Sequence, residues 1–402
     1  MTDDELRART RALLMAVPPD EVDQVTFRGA QYDRGLAWVH FPEGLGGLGL
    51  APKKQSVVND ELRQGARTSY ENLLLNPIGI GMGAPTLLTY GTEEMKQRLL
   101  RRIFTGEDIW CQLFSEPGAG SDVAGLSCRA ERDGDSWVVS GQKVWTTLAH
   151  VAKWGMLLAR TDPEATKHQG LSYFLLDMES PGVEVRPLYQ ITGEAEFNEV
   201  FLNDVRIPHA YMLGAEGQGW QVAITTLMNE RTALGGGSGT RGGGPISVLL
   251  DLWKARPDGG GSFGGDAVLR DRITQLYIEA ELLRVTSQRA RASQGTGNPG
   301  PEGSVGKLAQ AELYKRIWEC SLDVLGADSL VYEQGYELRR PGGGRGDREA
   351  VAKYQFLRSR ANSIEGGTSE VMRNILGERV LGLPGEPRVD KDVPWKSVPR
   401  NG

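Results

Sequence analysis

The stretch that decides the fold runs from Glu93 to Gly125, EEMKQRLLRRIFTGEDIWCQLFSEPGAGSDVAG. The spacing of its apolar residues changes midway. Met95, Leu99 and Ile103 recur every fourth residue, the spacing of one face of a helix. The strand-like WCQLF then runs into a turn rich in glycine and proline. A helical segment gives way to a β segment, and the same contrast orders the whole chain.

Upstream, residues 1–108 read as an N-terminal α-helical domain. DDELRARTRALLMAV (Asp3–Val17) has helical spacing, and PEGLGGLGL (Pro42–Leu50) reads as a loop between helices. Residues 109–215 are different. SWVVSGQKVW, KWGMLLART, LSYFLLDM, VEVRPLY and NEVFLNDVRIP are short, rich in Val, Phe, Tyr and Leu, and separated by Gly, Pro, Asp and Asn. That pattern predicts a run of antiparallel strands forming a small barrel or sandwich. Residues 216–402 turn helical again. Leu269, Ile273, Leu276, Ala280 and Leu283 form one stripe, and Leu313, Ile317, Cys320 and Val324 another. Two long amphipathic helices need partners, so a helical bundle is expected. Gly-rich runs at Gly235–Gly244, Asp258–Gly265 and Pro341–Gly346 read as loops, and the tail after Pro384 as an extended arm. None of these runs has the strand-flanked pattern of a dinucleotide fingerprint or a P-loop.

Composition narrows the function classes. The chain has 402 residues, enough for two or three domains. With 39% hydrophobic and 24% charged residues it reads as soluble and globular. A net charge of −6 gives no basic surface for nucleic acid. No apolar run reaches the roughly 18 residues of a membrane span. The charged start, MTDDELRART, lacks the apolar core of a signal peptide. The three scattered cysteines fit a reducing cytoplasm and no disulfide framework. The four histidines show no ligand spacing, so no metal site is expected.

Two stretches carry candidate chemistry. In FSEPGAGSDVAG (Phe114–Gly125), an ordinary turn and a loop whose N–H groups and hydroxyls face a ligand stand level on the residues alone. In SGQKVWTTLAH (Ser140–His150), Gly-Gln-Lys reads as a hairpin turn, and Trp145 is followed by two hydroxyls. A strand tryptophan is usually core, but it can also stack on a flat ring with Thr147 supplying a hydrogen bond.

Both stretches resemble the flavin-binding segments of the acyl-CoA dehydrogenase family. PEGLGGLGL, NEVFLNDVRIP and GGTSEVMRNILGERVLGLP (Gly366–Pro384) resemble further segments of that family, in family order and spacing over nearly the whole chain. The resemblance implies an α+β multidomain fold: an N-terminal helical domain, a middle antiparallel β-barrel and a C-terminal four-helix bundle. It also implies FAD. Gln112, Phe114 and Ser115 would line the flavin ring, with Gly120 and Ser121 at the pyrophosphate. Trp145 and Thr147 would stand beside the isoalloxazine, and Thr368 and Glu370 on the far side of the cofactor. The implied reaction is α,β-desaturation of an acyl-CoA thioester. A carboxylate removes the α-proton, a hydride passes to flavin N5, and electrons leave for an electron-transfer flavoprotein.

The base is the open question. In much of the family it sits in a Glu-Gly-Thr motif. Aligning SIEGGTSEVM (Ser363–Met372) on Thr368 puts that position at Gly366, with Glu365 one residue early. A base must reach within about 3 Å of its proton, so a one-residue offset matters. In members resembling isovaleryl- and long-chain acyl-CoA dehydrogenases, the glutamate comes instead from a helix, just before an arginine. LMNERTALGGG (Leu227–Gly237) offers Glu230 and Arg231 at that register. Glu230 is therefore preferred to Glu365, with the Gly366 N–H on the thioester carbonyl and Arg231 shaping the site. The alternative for Glu230 is an ion pair with Arg231 or a surface charge.

The chain departs from the family at a cross-subunit FAD contact. Many members carry an arginine three residues before Phe-Gly, whereas Gly260 holds that place before Phe263-Gly264. Arg256 stands seven residues before Phe263, and Arg241, Arg270 or Arg272 could substitute. Two rivals therefore accompany the homodimeric or homotetrameric dehydrogenase. One is a non-catalytic or partner-dependent subunit of a heteromeric dehydrogenase; the other is an oxygen-using oxidase of the same fold. Small residues at Gly366 and after Arg231 permit a branched or bulky acyl group.

Overall fold

The computed structural model describes residues 1–65, 76–234, 239–256, 266–293, 303–332, 347–388, 390 and 392–399, with backbone alone for 231–234 and 290–293. The side chain of Arg231 lies outside the described residues, as do Gly260, Phe263, Gly264 and the glycine runs around them and at 341–346. The chain divides into two compact units. The first comprises Met1–Arg186, Phe197–Leu227 and Val389–Gly402; the second comprises Pro187–Glu196 and Met228–Arg388.

The first unit begins with α1 (Asp3–Ala16), α2 (Gln24–Asp33), α3 (Gln55–Gly65), α4 (Ala84–Tyr90) and α5 (Glu93–Thr105). Thr2 and Glu5 form a reciprocal capping box on α1, satisfying donors the helix cannot pair internally. Thr92 caps α5, and Gly106 ends it in the left-handed conformation that a side chain resists. The α5 stripe Met95, Leu99 and Ile103 is buried as the spacing requires. Each such side chain contributes about 1.5–3 kcal/mol relative to exposure. Asn76 ties α5 to the sheet: its amide donates to the carbonyls of Ile103 and Asp108, and its oxygen accepts from the Trp110 N–H.

The sheet contains β1 (Trp110–Leu113), β2 (Arg129–Asp133), β3 (Ser136–Lys143), β4 (Trp154–Arg160), β5 (Leu171–Asp177), β6 (Val183–Leu188), β7 (Phe197–Pro208) and β8 (Met212–Leu213). Their order is β6-β7-β3-β2-β4-β5-β8, with β1 also on β4. β4 is buried along its whole length and β5 nearly so, which accounts for their unbroken apolar runs. Helices and sheet share one core, in which Leu99, Trp110, Trp137, Tyr173 and Phe174 all lie.

Three local expectations are corrected here. The sheet is mixed, because β1 pairs with β4 in parallel after the β2–β3 hairpin intervenes in the chain. Gly141–Lys143 is no turn: these residues are in β3, beside a bulge between Val139 and Gly141. A Cβ on Gly141 would come 2.8 Å from the Cys128 Cα, so the glycine serves close backbone approach. The hairpin turn is Gly134-Asp135, with Gly134 at φ +61°. Finally, the tail folds back onto the first unit, where Trp395 is buried.

Helix α6 (Gly219–Leu234) starts in the first unit and enters the second at Met228. The second unit continues with α7 (Pro245–Ala255), α8 (Ala267–Ser293), α9 (Gly303–Leu325), α10 (Arg348–Arg358) and α11 (Ser369–Ile375). α9 packs on α7, α8 and α10, and α7 also touches α8 and α10, forming a four-helix bundle. Its core holds Leu269, Ile273, Leu276 and Leu283 from α8 with Leu313, Ile317, Cys320 and Val324 from α9. Ala280 is only partly buried against it.

Candidate active site

In the first unit, β1 delivers Gln112 and Ser115, both half-buried, to the mouth of the Glu116–Ser121 loop. Phe114 is different: its ring is in the core, edge-on to Tyr173 at 5.8 Å. Glu116 and Ala119 exchange backbone hydrogen bonds at 3.1 and 3.0 Å, closing a tight turn. Beyond it Gly120 and Ser121 are exposed.

A buried ion pair that the sequence did not suggest holds this loop. The Glu116 carboxylate accepts from the N–H groups of Ser127 (2.6 Å) and Cys128 (2.9 Å) and from Lys143 Nζ (2.8 Å). Lys143, with 0% exposure, also donates to the Phe114 carbonyl at 3.0 Å. Two buried charges are tolerable only when paired and hydrogen-bonded in this way. The pair joins the end of β3 to the loop after β1.

Past β3 the chain takes an unusual path. Trp145 and Leu148 have φ of +60° and +63°, where a bulky residue is strained. Trp145 is 58% exposed, its ring edge-on to Phe197 at 5.9 Å. It lies outside any strand, so it is not the core residue a strand tryptophan would be. Thr146 and Asn198 exchange backbone hydrogen bonds at 3.0 Å, and the Asn198 amide also donates to the Thr146 carbonyl. The Thr146 hydroxyl is buried without a hydrogen-bond partner, and Thr147 beside it is half-buried. A strained, exposed aromatic next to an orphaned hydroxyl fits a flat ring with polar edges, as in a flavin. The Thr147 expected at the ring edge stands directly after this orphaned Thr146 hydroxyl.

In the second unit, Gly366 and Gly367 have φ of +63° and +95°, so the turn requires glycine. Lys307 of α9 reaches across to this loop. Its Nζ donates to the carbonyls of Asn362 (2.9 Å) and Gly367 (2.5 Å). Thr368 caps α11 by accepting from the Val371 N–H at 3.1 Å, and Glu370 is exposed, 3.4 Å from Arg373.

Glu365 is engaged. Arg358 grips it with two hydrogen bonds, 3.1 and 2.9 Å, one to each carboxylate oxygen. The Glu196 carboxylate stands 4.0 Å from the same guanidinium. Burial opposes the Arg358 charge, but Glu365 and Glu196 outweigh it and raise its pKa. Next to this group, burial lifts the Glu194 carboxyl above its ordinary range, and Glu196 adds to the shift. Glu230 lies half-buried near the end of α6. Of the arginines that could substitute for the family's clamp, Arg272 is ion-paired with Asp323; the out-of-register Arg256 lies over the Trp253 ring at 5.2 Å. Arg241 is held by the Tyr277 hydroxyl, which raises its pKa, and Arg270 is exposed. Among the described residues no group of His, Cys, Asp and Glu could hold a metal ion. None of their helices is long and apolar enough to cross a membrane.

The chain matches models for the acyl-CoA dehydrogenase N-terminal domain over residues 9–107, the middle domain over 111–205 and the C-terminal domain over 217–381. It is 39% identical to acyl-CoA dehydrogenase FadE34 of Mycobacterium tuberculosis over 92% of this chain, but spans only 47% of that protein. It is 37% identical to acyl-CoA dehydrogenase IpdE1 of the same organism, over 88% of this chain and 86% of that one. Human short-chain specific acyl-CoA dehydrogenase is 29% identical, over 86% and 80% of the two chains. Among solved structures, the Tcur3481–Tcur3483 steroid ACAD is similar, with TM-score 0.72 and 26% identity over 96% of this chain and 98% of that one. The ChsE4–ChsE5 complex from Mycobacterium tuberculosis gives TM-score 0.70 and 26% identity, over 96% and 97%. The chain therefore belongs to the acyl-CoA dehydrogenase family of FAD-dependent oxidoreductases.

Proposed function

We propose that this chain desaturates a bulky acyl-CoA thioester between the α and β carbons, with Glu230 as the base. The observation that supports Glu230 over Glu365 is the two-point grip of Arg358 on both Glu365 oxygens. A carboxylate bonded through both oxygens to a guanidinium fork must give up those bonds before it can reach a substrate proton. Freeing Glu365 for proton abstraction would break both of its hydrogen bonds to Arg358.

The residues around the flavin would act by position. Ser115, Gly120 and Ser121 would meet the FAD phosphates and ring edge, with Gln112 beside them and Phe114 backing the loop from the core. Trp145 would pack against the isoalloxazine, with Thr146 and Thr147 as its hydrogen-bonding neighbours; Thr368 and Glu370 would stand by the rest of the cofactor. When bound, FAD supplies the two-electron acceptor for the reaction. Glu230 would take the α-proton. A thioester α-proton is too weakly acidic for a carboxylate in water, so the developing enolate oxygen needs a fixed donor. The Gly366 N–H, held in its turn by Lys307, supplies one. Arg231 would shape the pocket without exchanging a proton, because guanidinium does not titrate near neutral pH. An electron-transfer flavoprotein would then reoxidise the enzyme.

The absence of a side chain at Gly366 fits a bulky acyl group, and so does the likeness to the Tcur3481–Tcur3483 steroid ACAD. That structure and the ChsE4–ChsE5 complex each carry two chain names, which favours, as a second reading, a heteromeric assembly completing the cofactor site. One experiment separates the readings. The purified chain is expected to show a flavin spectrum that bleaches anaerobically with bulky acyl-CoAs more readily than with short straight ones. Equal bleaching by short chains would remove the bulky-substrate reading. A colourless protein that does not take up added FAD would favour the partner-dependent subunit.

A further inference from the structure

The returning tail lies against the loop that carries Ser121, and we propose that it is a strap that fixes this loop for FAD. The inference rests on the assignment of Ser121 to the cofactor phosphates. Three sets of contacts within the first unit support it. First, the Trp395 indole covers the Arg160 guanidinium at 4.1 Å, and its Nε1 donates to the Gly125 carbonyl at 3.3 Å. Arg160, buried in β4, donates from beneath to the carbonyls of Ala124 (2.7 Å) and Leu126 (3.2 Å). The short turn after Ser121 is thus held from two sides by groups far away in sequence.

Second, the tail is anchored by its own backbone. The N–H groups of Trp395 and Lys396 donate to the carbonyls of Ala165 (2.9 Å) and Pro163 (3.1 Å). Third, a charge relay runs from the tail to the loop. Lys167 Nζ is 2.7 Å from Asp390 in the tail and 2.6 Å from Asp122, the residue after Ser121. An unpaired Asp122 carboxylate would repel a diphosphate. Lys167 pairs with Asp122 and so weakens its repulsion of an approaching anion; Asp390 steadies Lys167 while adding a negative charge of its own. Trp395, Lys167 and Asp390 are accordingly positioning residues: the first two touch the loop, Asp390 holds Lys167, and all act on the cofactor through the loop.

The test is FAD affinity, measured by titrating apoprotein with FAD and following the quenching of flavin fluorescence. Lys167→Ala and Trp395→Ala are expected to weaken FAD binding roughly tenfold, the scale of one charge-assisted hydrogen bond. Lys167→Arg should restore most of it. The weakening from Lys167→Ala should diminish at high salt, as screening removes the Asp122 repulsion. Trp395→Phe, which can keep a ring over Arg160 but loses the Nε1–H donor to Gly125, reads the same contact should the alanine variant loosen the fold. Ser121→Ala separates the two levels of the argument. If Ser121→Ala weakens FAD binding but the strap variants bind as wild type, the strap is refuted and the loop assignment stands. If Ser121→Ala also binds FAD normally, the loop assignment fails and the strap with it.

Discussion

At Lys143 and Glu116 the account becomes quantitative. Glu116 is almost buried and Lys143 fully so, and Lys143 carries the only opposite charge the structure shows within ion-pair distance of that carboxylate among the described residues. Removing one member of a buried pair costs about 3–5 kcal/mol, because the other is left charged and dry. Lys143→Met should therefore lower the urea-unfolding free energy by that amount, and Lys143→Met with Glu116→Gln should recover part of it. Equal stability of Lys143→Met and wild type would show that the pair does not hold the loop. Nothing in the sequence marks these two residues as partners, since they stand 27 apart in different local patterns. Glu194 gives a pH test. Burial raises its folded pKa above the ordinary carboxyl range, so the native state binds the extra proton. Stability from this group is thus present below the unfolded pKa and is lost as pH rises through the folded one. Glu194→Gln should raise the melting temperature relative to wild type at pH 8 and change it little at pH 4. A larger gain at pH 4 would contradict the assigned burial.

Among the elements, legibility follows from how strongly one physical constraint shaped the sequence. The stripes on α5, α8 and α9 read correctly because each helix has one buried face and the period shows it. β4 and β5 read as strands because both faces are buried. β2 did not, since RAERD offers one buried residue, Ala130, among charged neighbours. β8 has two residues and no pattern to find. The bend at Trp145 was invisible for another reason: its left-handed backbone is imposed by bonds to Asn198, remote in sequence. α9 is the element on which the bundle depends, since it packs on α7, α8, α10 and α11. Ile317 sits at its centre with 0% exposure. Ile317→Ala should cost about 2–5 kcal/mol, read by denaturant unfolding of the apoprotein. A loss under about 1 kcal/mol would mean that the bundle core relaxes around the cavity or lies elsewhere.

For the molecule as a whole, the order of helical, sheet and helical segments was legible because each has its own hydrophobic period. The return of the tail to the first unit was not, since its contacts are single residues against distant loops. The base assignment stands between these extremes. The sequence supplied two glutamates, and for one of them the structure shows a strong engagement: Glu365 is clamped by Arg358. The most direct measurement is single-turnover flavin bleaching under anaerobic conditions, using an acyl-CoA that bleaches the wild type. Glu230→Gln should keep its FAD and slow bleaching by roughly 100-fold or more, the scale of a lost general base. Glu365→Gln should bleach within about tenfold of wild type, a change of no more than 1.4 kcal/mol in the barrier. The reverse pattern, with Glu230→Gln active and Glu365→Gln inert at full FAD content, would contradict the central claim and make the Arg358-bound glutamate the base.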